Sequence, residues 1–207
     1  MWVAGIDEAG RGCICGGLFI AGIIANEQVI AQFGAKDSKK MLPKQRERVY
    51  NALLDSQKRG EIGFYVAQIQ AWDIDKYGLS WAMRSGIEEV LSYLGSYMLE
   101  QNILVQNQPL DIVIDGNTTF GANIPTFLAH KDVHLKTLIK GDELMPIISC
   151  ASVVAKVSKD SQMYMLDNLY PQYLLAKNKG YATLEHKKQI MRYGYCPHHR
   201  KSFKISP

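Results

Sequence analysis

The run W-V-A-G-I-D-E-A-G-R-G, residues 2–12, carries a short apolar strand (2–7) straight into a glycine-rich turn. Asp7 and Glu8 stand at that junction. Two carboxylates at a strand end, beside exposed backbone amides and the Arg11 guanidinium, suit the holding of a divalent cation against a phosphate. An acidic turn capping an edge strand would use the same residue types for conformational reasons alone. The rest of the chain has to decide between the two.

Residues 16–25 read as a second strand, rich in Ile and Gly with little polar alternation, as a buried strand would be. The Gly10-Arg11-Gly12 turn joins it to the first as a hairpin. Pro43 predicts the opening of a helix to about Arg59, with Gly60 closing it. Residues 61–70 alternate through Ile62, Phe64, Val66 and Ile69, a third strand. From 73 to about 101 the apolar positions Leu79, Met83, Ile87, Val90, Leu91, Leu94 and Met98 recur at three and four, which predicts one helix with a core-facing stripe. Residues 110–115 and 133–139 are short apolar strands, the first ending in Asp-Gly and the second running into Lys-Gly-Asp. Residues 146–167 return to a helix, with small residues at Ser149, Ala151, Ser152 and Ala155 for close packing on the sheet. The expected architecture is an α/β mixed sheet flanked by helices, divided into a catalytic domain (1–168) and a small C-terminal helical extension (169–207).

At 207 residues and 47% hydrophobic content the chain can bury a substantial core. Its longest nearly apolar stretch, 16–25, is half the ~20 residues a spanning helix needs, and no basic-then-apolar leader opens the sequence. A cytoplasmic protein is expected. Cys13 and Cys15 form a C-x-C, with Cys150 and Cys196 far apart, which lacks the paired C-x-x-C spacing of structural zinc sites and predicts reduced, packed thiols. Cys196-Pro197-His198-His199 looks more like a ligand cluster, yet it lies in a basic segment where His and Arg are expected to meet anions.

The net charge of +4 conceals an asymmetry. From residue 169 onward eight Lys or Arg face the single acid Glu185, so the last 39 residues carry +7 and the first 168 carry −3. A second basic cluster runs from Lys36 to Arg48. Positive charge concentrated beside acids predicts a polyanion partner, because each neutralised phosphate releases condensed counterions; a solvated basic helix face is the plainer alternative.

Asp7 and Glu8 follow the first strand, Asp115 the fourth and Asp142 the fifth. Loops leaving neighbouring parallel strands converge on one sheet edge, so the four acids would share a pocket if those strands are neighbours. Crowded carboxylates raise one another's pKa unless cations intervene. Hard oxygen donors favour Mg²⁺ or Mn²⁺ over zinc, and two such ions ~3.5–4 Å apart suit in-line phosphoryl displacement. Singly, Asp115 reads as a turn residue and Asp142 as a helix cap.

The joint motif set resembles bacterial ribonuclease HII: G-I-D-E-A-G-R-G (5–12), D-S-K-K (37–40), I-D-G (114–116), K-G-D (140–142), S-C-A-S-V-V-A-K-V-S-K-D (149–160), K-G-Y-A-T-x-x-H (179–186) and Y-G-x-C-P-x-H-R-x-S-F (193–203), in that family's order. The resemblance implies an RNase H-like fold and endonucleolytic cleavage of RNA in RNA–DNA hybrids, including at single ribonucleotides embedded in duplex DNA, leaving 3′-hydroxyl and 5′-phosphate ends. It implies Asp7, Glu8, Asp115 and Asp142 as the metal-binding and catalytic acids, with two Mg²⁺ or Mn²⁺ ions. Gly10-Arg11-Gly12 would read the ribose 2′-OH through backbone groups, and Tyr181 would pack on the sugar at the RNA–DNA junction, where its alternative is an ordinary half-buried tyrosine. Lys39 and Lys40 would position phosphates or stay solvated. Lys156 would pair with an acid or snorkel to the surface. A monomer is expected.

The sequence departs from the family pattern at Cys13-Ile14-Cys15, where proline and small residues are usual, and at Glu143-Leu144, where Ala-Arg is usual. Two alternatives stand beside this reading. A hybrid-binding protein without turnover would use the basic tail equally well but would gain nothing from four acids. A related nuclease such as ribonuclease HIII usually carries an additional N-terminal domain, for which acids beginning at residue 7 leave no room.

Overall fold

A computed structural model describes residues 1–34, 41–106 and 109–204. In chain order its main elements are β1 (Trp2–Ala9), β2 (Leu18–Asn26), α1 (Glu27–Ile30), α2 (Pro43–Lys58), β3 (Ile62–Ile69), α3 (Ala71–Tyr77), α4 (Leu79–Glu100), β4 (Leu110–Asp115), β5 (Val133–Leu138), α5 (Gly141–Leu144), α6 (Pro146–Leu169), α7 (Leu175–Asn178) and α8 (Leu184–Tyr193). The five strands form one mixed sheet in the order β3-β2-β1-β4-β5. The β1/β2 and β2/β3 pairs are antiparallel, whereas β4 and β5 run parallel to β1.

Alternation along the strands divides the core into two layers. Ala4 and Ile6 of β1 and Ile112 and Ile114 of β4 pack with the α4 stripe (Met83, Ile87, Val90, Leu94) on one face. Ala21 and Ile23 of β2 and Val113 of β4 pack with Ile147, Ile148 and Ala151 of α6 on the other, where α2 adds Val49 and Leu53. Close approach of α6 to β1 depends on Gly5, since a methyl there would lie 2.9 Å from Ile148 Cγ1 and 3.0 Å from the Ile148 backbone nitrogen. The small-residue pattern of α6 has its use here: Ser149, Ala151, Ser152 and Ala155 are all buried.

Three sequence expectations change. Asp7 and Glu8 lie within β1, which continues to Ala9, instead of following it. The helix expected over 73–101 is two helices, because Gly78 adopts φ 85 and breaks the hydrogen-bond ladder between Tyr77 and Leu79; the apolar stripe from Leu79 to Met98 belongs wholly to the second. The second strand begins at Leu18, leaving residues 10–17 as a longer crossing than a tight turn.

A third apolar cluster joins Ile14 and Cys15 of that crossing to Met163 and Leu166 of α6 and to Tyr173, Leu175, Ile190 and Cys196. All four cysteines are free and buried. Among the described residues no helix is long and apolar enough to cross a membrane.

Candidate active site

The parallel register sets Gly5 opposite Val113 and Ile6 opposite Ile114, so the next residues, Asp7 and Asp115, end up side by side on the α6 face of the sheet. Asp142 comes to the same point from α5, the single helical turn after β5, where it sits in the first turn behind Lys140 as N-cap instead of capping the helix itself. Carboxylate oxygens of Asp7, Asp115 and Asp142 lie within 4.8 Å of one another. Asp7 and Asp142 are each only 5% exposed.

Glu8 is not a member of that triple. Adjacent strand residues point to opposite faces, so with Asp7 toward α6, Glu8 turns toward the α4 face. Its carboxylate faces Arg11 at 3.7 Å. Both nevertheless line one open cleft of about 210 Å³, together with Gly10, Arg11, Gly12, Asp115, Ser152, Lys156 and Tyr181.

Asp7 and Asp115 are each held by hydrogen-bond donors. The Glu8 backbone N–H donates to Asp7 Oδ1 at 2.7 Å, and the Ser152 hydroxyl on α6 bonds the Asp7 side chain. The Gly141 N–H donates to Asp115 Oδ1 at 2.7 Å. Burial dominates the Asp7 environment and pushes its carboxyl up to about 8, with Glu8 and Asp115 adding repulsion against the Ser152 and backbone bonds. A carboxylate buried beside two further acids is the electrostatic signature of a site completed by a cation. All-oxygen donors fit a hard divalent ion, and Asp7, Asp115 and Asp142 would hold it.

Lys39 and Lys40 lie outside the described residues. Gly10 takes φ 91, a conformation only glycine adopts freely. Gly12 is exposed, and a methyl on it would meet nothing within 4 Å. Arg11 is half-exposed, with its guanidinium over the Phe120 ring at 5.1 Å. Phe120 lies in an irregular loop, where no periodic signal marks it in the sequence. Tyr181 is 43% exposed, with the Lys159 ammonium 5.0 Å from its ring centroid. Lys156 pairs with an acid, Asp160, at 2.9 Å; Lys159 reaches the same carboxylate at 2.8 Å.

The basic terminal segment does not use all its cations on anions. Arg200 is wholly buried, donating from Nε to Gly16 O at 3.0 Å, from Nη1 to Arg11 O at 3.1 Å and from Nη2 to Gly17 O at 2.8 Å. Asp75 accepts from the Lys201 and Ser202 backbone amides at 2.8 and 2.9 Å, fixing the next turn. Cys15, Cys196 and His199 also bring ligand-type atoms within 4.8 Å, all buried. His199 cannot easily serve an ion there, because Nδ1 accepts from the Cys196 N–H at 2.9 Å and Nε2 meets His186 Nε2 at 3.1 Å.

Comparison with known proteins agrees with this geometry. The family model described as Ribonuclease HII matches residues 4–206. A ribonuclease HII of Helicobacter pylori strain J99 is 40% identical over 204 residues, covering 97% of this chain and 88% of that protein. The fold matches the structure of the PCNA:RNase HII complex from Archaeoglobus fulgidus with TM-score 0.71 at 21% identity, covering 100% of this chain and 97% of that one. It also matches Bst-RNase HIII in complex with Mn²⁺ with TM-score 0.62 at 19% identity, covering 94% of this chain and 63% of that one.

The family match, with the acids gathered at the central strand ends, defines a metal-dependent ribonuclease H, a hydrolase acting on RNA–DNA hybrids. The chain belongs to the ribonuclease HII family.

Proposed function

We propose that this enzyme cuts the RNA strand of RNA–DNA hybrids endonucleolytically and also incises duplex DNA at a single embedded ribonucleotide, leaving 3′-hydroxyl and 5′-phosphate ends. The observation that carries the reading is the convergence of Asp7, Asp115 and Asp142 within 4.8 Å, beside a cleft whose wall is Gly10, Arg11, Gly12 and Tyr181.

Asp7, Asp115 and Asp142, joined by Glu8 from the wall of the same cleft, are the catalytic, metal-holding acids of this reading, with two Mg²⁺ or Mn²⁺ ions in the substrate complex. When bound, such ions supply Lewis-acid stabilisation of the attacked phosphate and the leaving oxygen. The chain's own residues do the rest. Ser152 and the Glu8 and Gly141 amides fix carboxylate orientation before substrate arrives, which lowers the reorganisation needed during reaction. Gly12, with open space where a side chain would stand, lets backbone approach a ribose 2′-OH, the group that separates RNA from DNA. Tyr181 offers a ring face to the neighbouring deoxyribose, and Lys39 and Lys40 contact phosphates. The segment 169–207 contributes to substrate binding as an extension of the catalytic domain of residues 1–168. The protein acts as a cytoplasmic monomer.

The test compares three labelled substrates with Mg²⁺ and with Mn²⁺: an all-RNA hybrid, a duplex with one ribonucleotide, and the all-DNA duplex. Incision of the first two at ribonucleotides, with ends that a 3′-hydroxyl-requiring polymerase extends directly, is expected. Cutting of the hybrid alone would remove the single-ribonucleotide activity, and cutting of all-DNA duplex would remove 2′-OH recognition.

A further inference from the structure

His186 and His199 are 0% and 1% exposed, and neither takes part in the metal chemistry. Their ring nitrogens form a continuous series of contacts: Cys196 N–H to His199 Nδ1 at 2.9 Å, His199 Nε2 to His186 Nε2 at 3.1 Å, and His186 Nδ1 to Tyr181 O at 2.9 Å. The proton positions follow from the two ends. A backbone N–H can only donate, so His199 Nδ1 accepts and its proton sits on Nε2. A carbonyl can only accept, so His186 Nδ1 donates and its Nε2 is bare. These assignments, made from opposite ends, meet as one donor facing one acceptor. Tyr173 packs edge-on against both rings, at 4.8 and 6.3 Å between centroids, and Tyr195 against His199 at 5.4 Å, which restrains their tilt.

The residue after His199 is Arg200, whose guanidinium holds the carbonyls of Arg11, Gly16 and Gly17. We propose that His199 and Arg200 act together as a positioning unit for substrate discrimination, Arg200 setting the Gly10-Arg11-Gly12 loop and His199, through neutral His186, setting the backbone of Tyr181. One dipeptide thereby braces both the ribose-reading loop and the ring that receives the adjacent sugar, alongside the Ile14 and Cys15 amides that donate to Gly180 O at 2.8 and 3.2 Å. The proposal rests on the reading of Tyr181 given above. Neutral imidazoles are essential to it, because a second proton on His186 would put N–H against N–H at 3.1 Å, and one on His199 would face the Cys196 N–H at 2.9 Å. Burial, with His199 opposite, holds the His186 pKa below its ordinary value, in keeping with that state.

The test has two parts, both on the full chain. Long-range ¹⁵N NMR at pH 7.5 reads the tautomers directly: a proton on His186 Nδ1 and on His199 Nε2 is expected, and the same tautomer on both rings would overturn the relay. Kinetics on the single-ribonucleotide duplex then compare His186→Ala with His186→Asn, whose amide can still donate to Tyr181 O. His186→Ala should raise KM about five- to tenfold, the worth of one hydrogen bond, with kcat within about twofold, and His186→Asn should recover most of the loss. Equal defects in both variants, or a defect in kcat alone, would contradict positioning through Tyr181. If His186→Ala does not fold, the tautomers and His186→Asn carry the test. Correct tautomers together with a Tyr181→Ala variant that incises like the wild type would uphold the relay and overturn the role assigned to Tyr181, so the two failures are distinguishable.

Discussion

The Gly141 backbone N–H donates to Asp115 Oδ1 at 2.7 Å, tying the last residue of β4 to the residue that precedes Asp142. One bond thus aligns two acids delivered by different strands. A methyl at Gly141 would stand 3.3 Å from that same oxygen and 2.6 Å from Ile148 Cδ1, which is fully buried on α6. Gly141→Ala is expected to cost about 1–3 kcal/mol by overpacking and to lower hybrid cleavage by about 10- to 100-fold through misplacement of Asp115. Denaturant unfolding and single-turnover cleavage measure the two separately. Destabilisation with full activity would show that Asp115 orientation does not depend on this contact.

Asp7 makes the metal-free protein sensitive to pH. Its folded-state carboxyl stands at about 8, against an ordinary 3.8, so between these values the folded state binds a proton that the unfolded state releases. Stability from this group therefore falls as pH rises from about 4 to 8, and binding of Mg²⁺ or Mn²⁺ offsets the loss. Without metal, Asp7→Asn should be more stable than wild type at pH 8 by about 1–2 kcal/mol, with the difference shrinking toward pH 5. Urea midpoints at three pH values check this; a difference that does not vary with pH would remove the electrostatic account of Asp7.

Gly12 has room for a side chain that the fold itself does not fill. Gly12→Ala is expected to change stability by less than about 0.5 kcal/mol, as at an ordinary surface position, while raising KM for ribonucleotide-containing duplex. Unchanged KM would mean that substrate does not approach the backbone here.

Arg200 behaves in the opposite way, since its loss leaves three carbonyls without the fork that serves them. Lys cannot reproduce that fork, and Arg200→Lys is expected to cost about 2–4 kcal/mol. Thermal unfolding with activity assayed well below the transition is the measurement. A variant of wild-type stability would show that the carbonyls find other donors.

Much of this arrangement is legible in the sequence because strand ends are marked by charge. Asp115 closes an apolar run and Asp7 nearly does, and a parallel pair needs only the right register to bring them together. The separation of Glu8 from Asp7 follows from strand alternation once β1 is known to extend through Ala9. Other parts are hidden for physical reasons. Arg200 carries the same charge as its solvated neighbours, and nothing local marks it as the cation that spends its donors on backbone oxygens from residues 11–17. The Phe120 ring beneath Arg11 comes from a loop without periodicity, at φ 54. The histidine relay joins residues 181, 186, 196 and 199, and no periodic spacing in the basic tail signals that these four meet.

The most direct measurement of the central claim is incision of a duplex bearing one ribonucleotide by wild type and Asp142→Asn, with Mg²⁺ or Mn²⁺, alongside binding of the same duplex. If Asp7, Asp115 and Asp142 together hold the ions that cleavage requires, the variant retains binding and loses at least about 100-fold in single-turnover rate, the scale on which removing one stabilising group from a reaction centre is felt. Undiminished cleavage by Asp142→Asn would contradict the account.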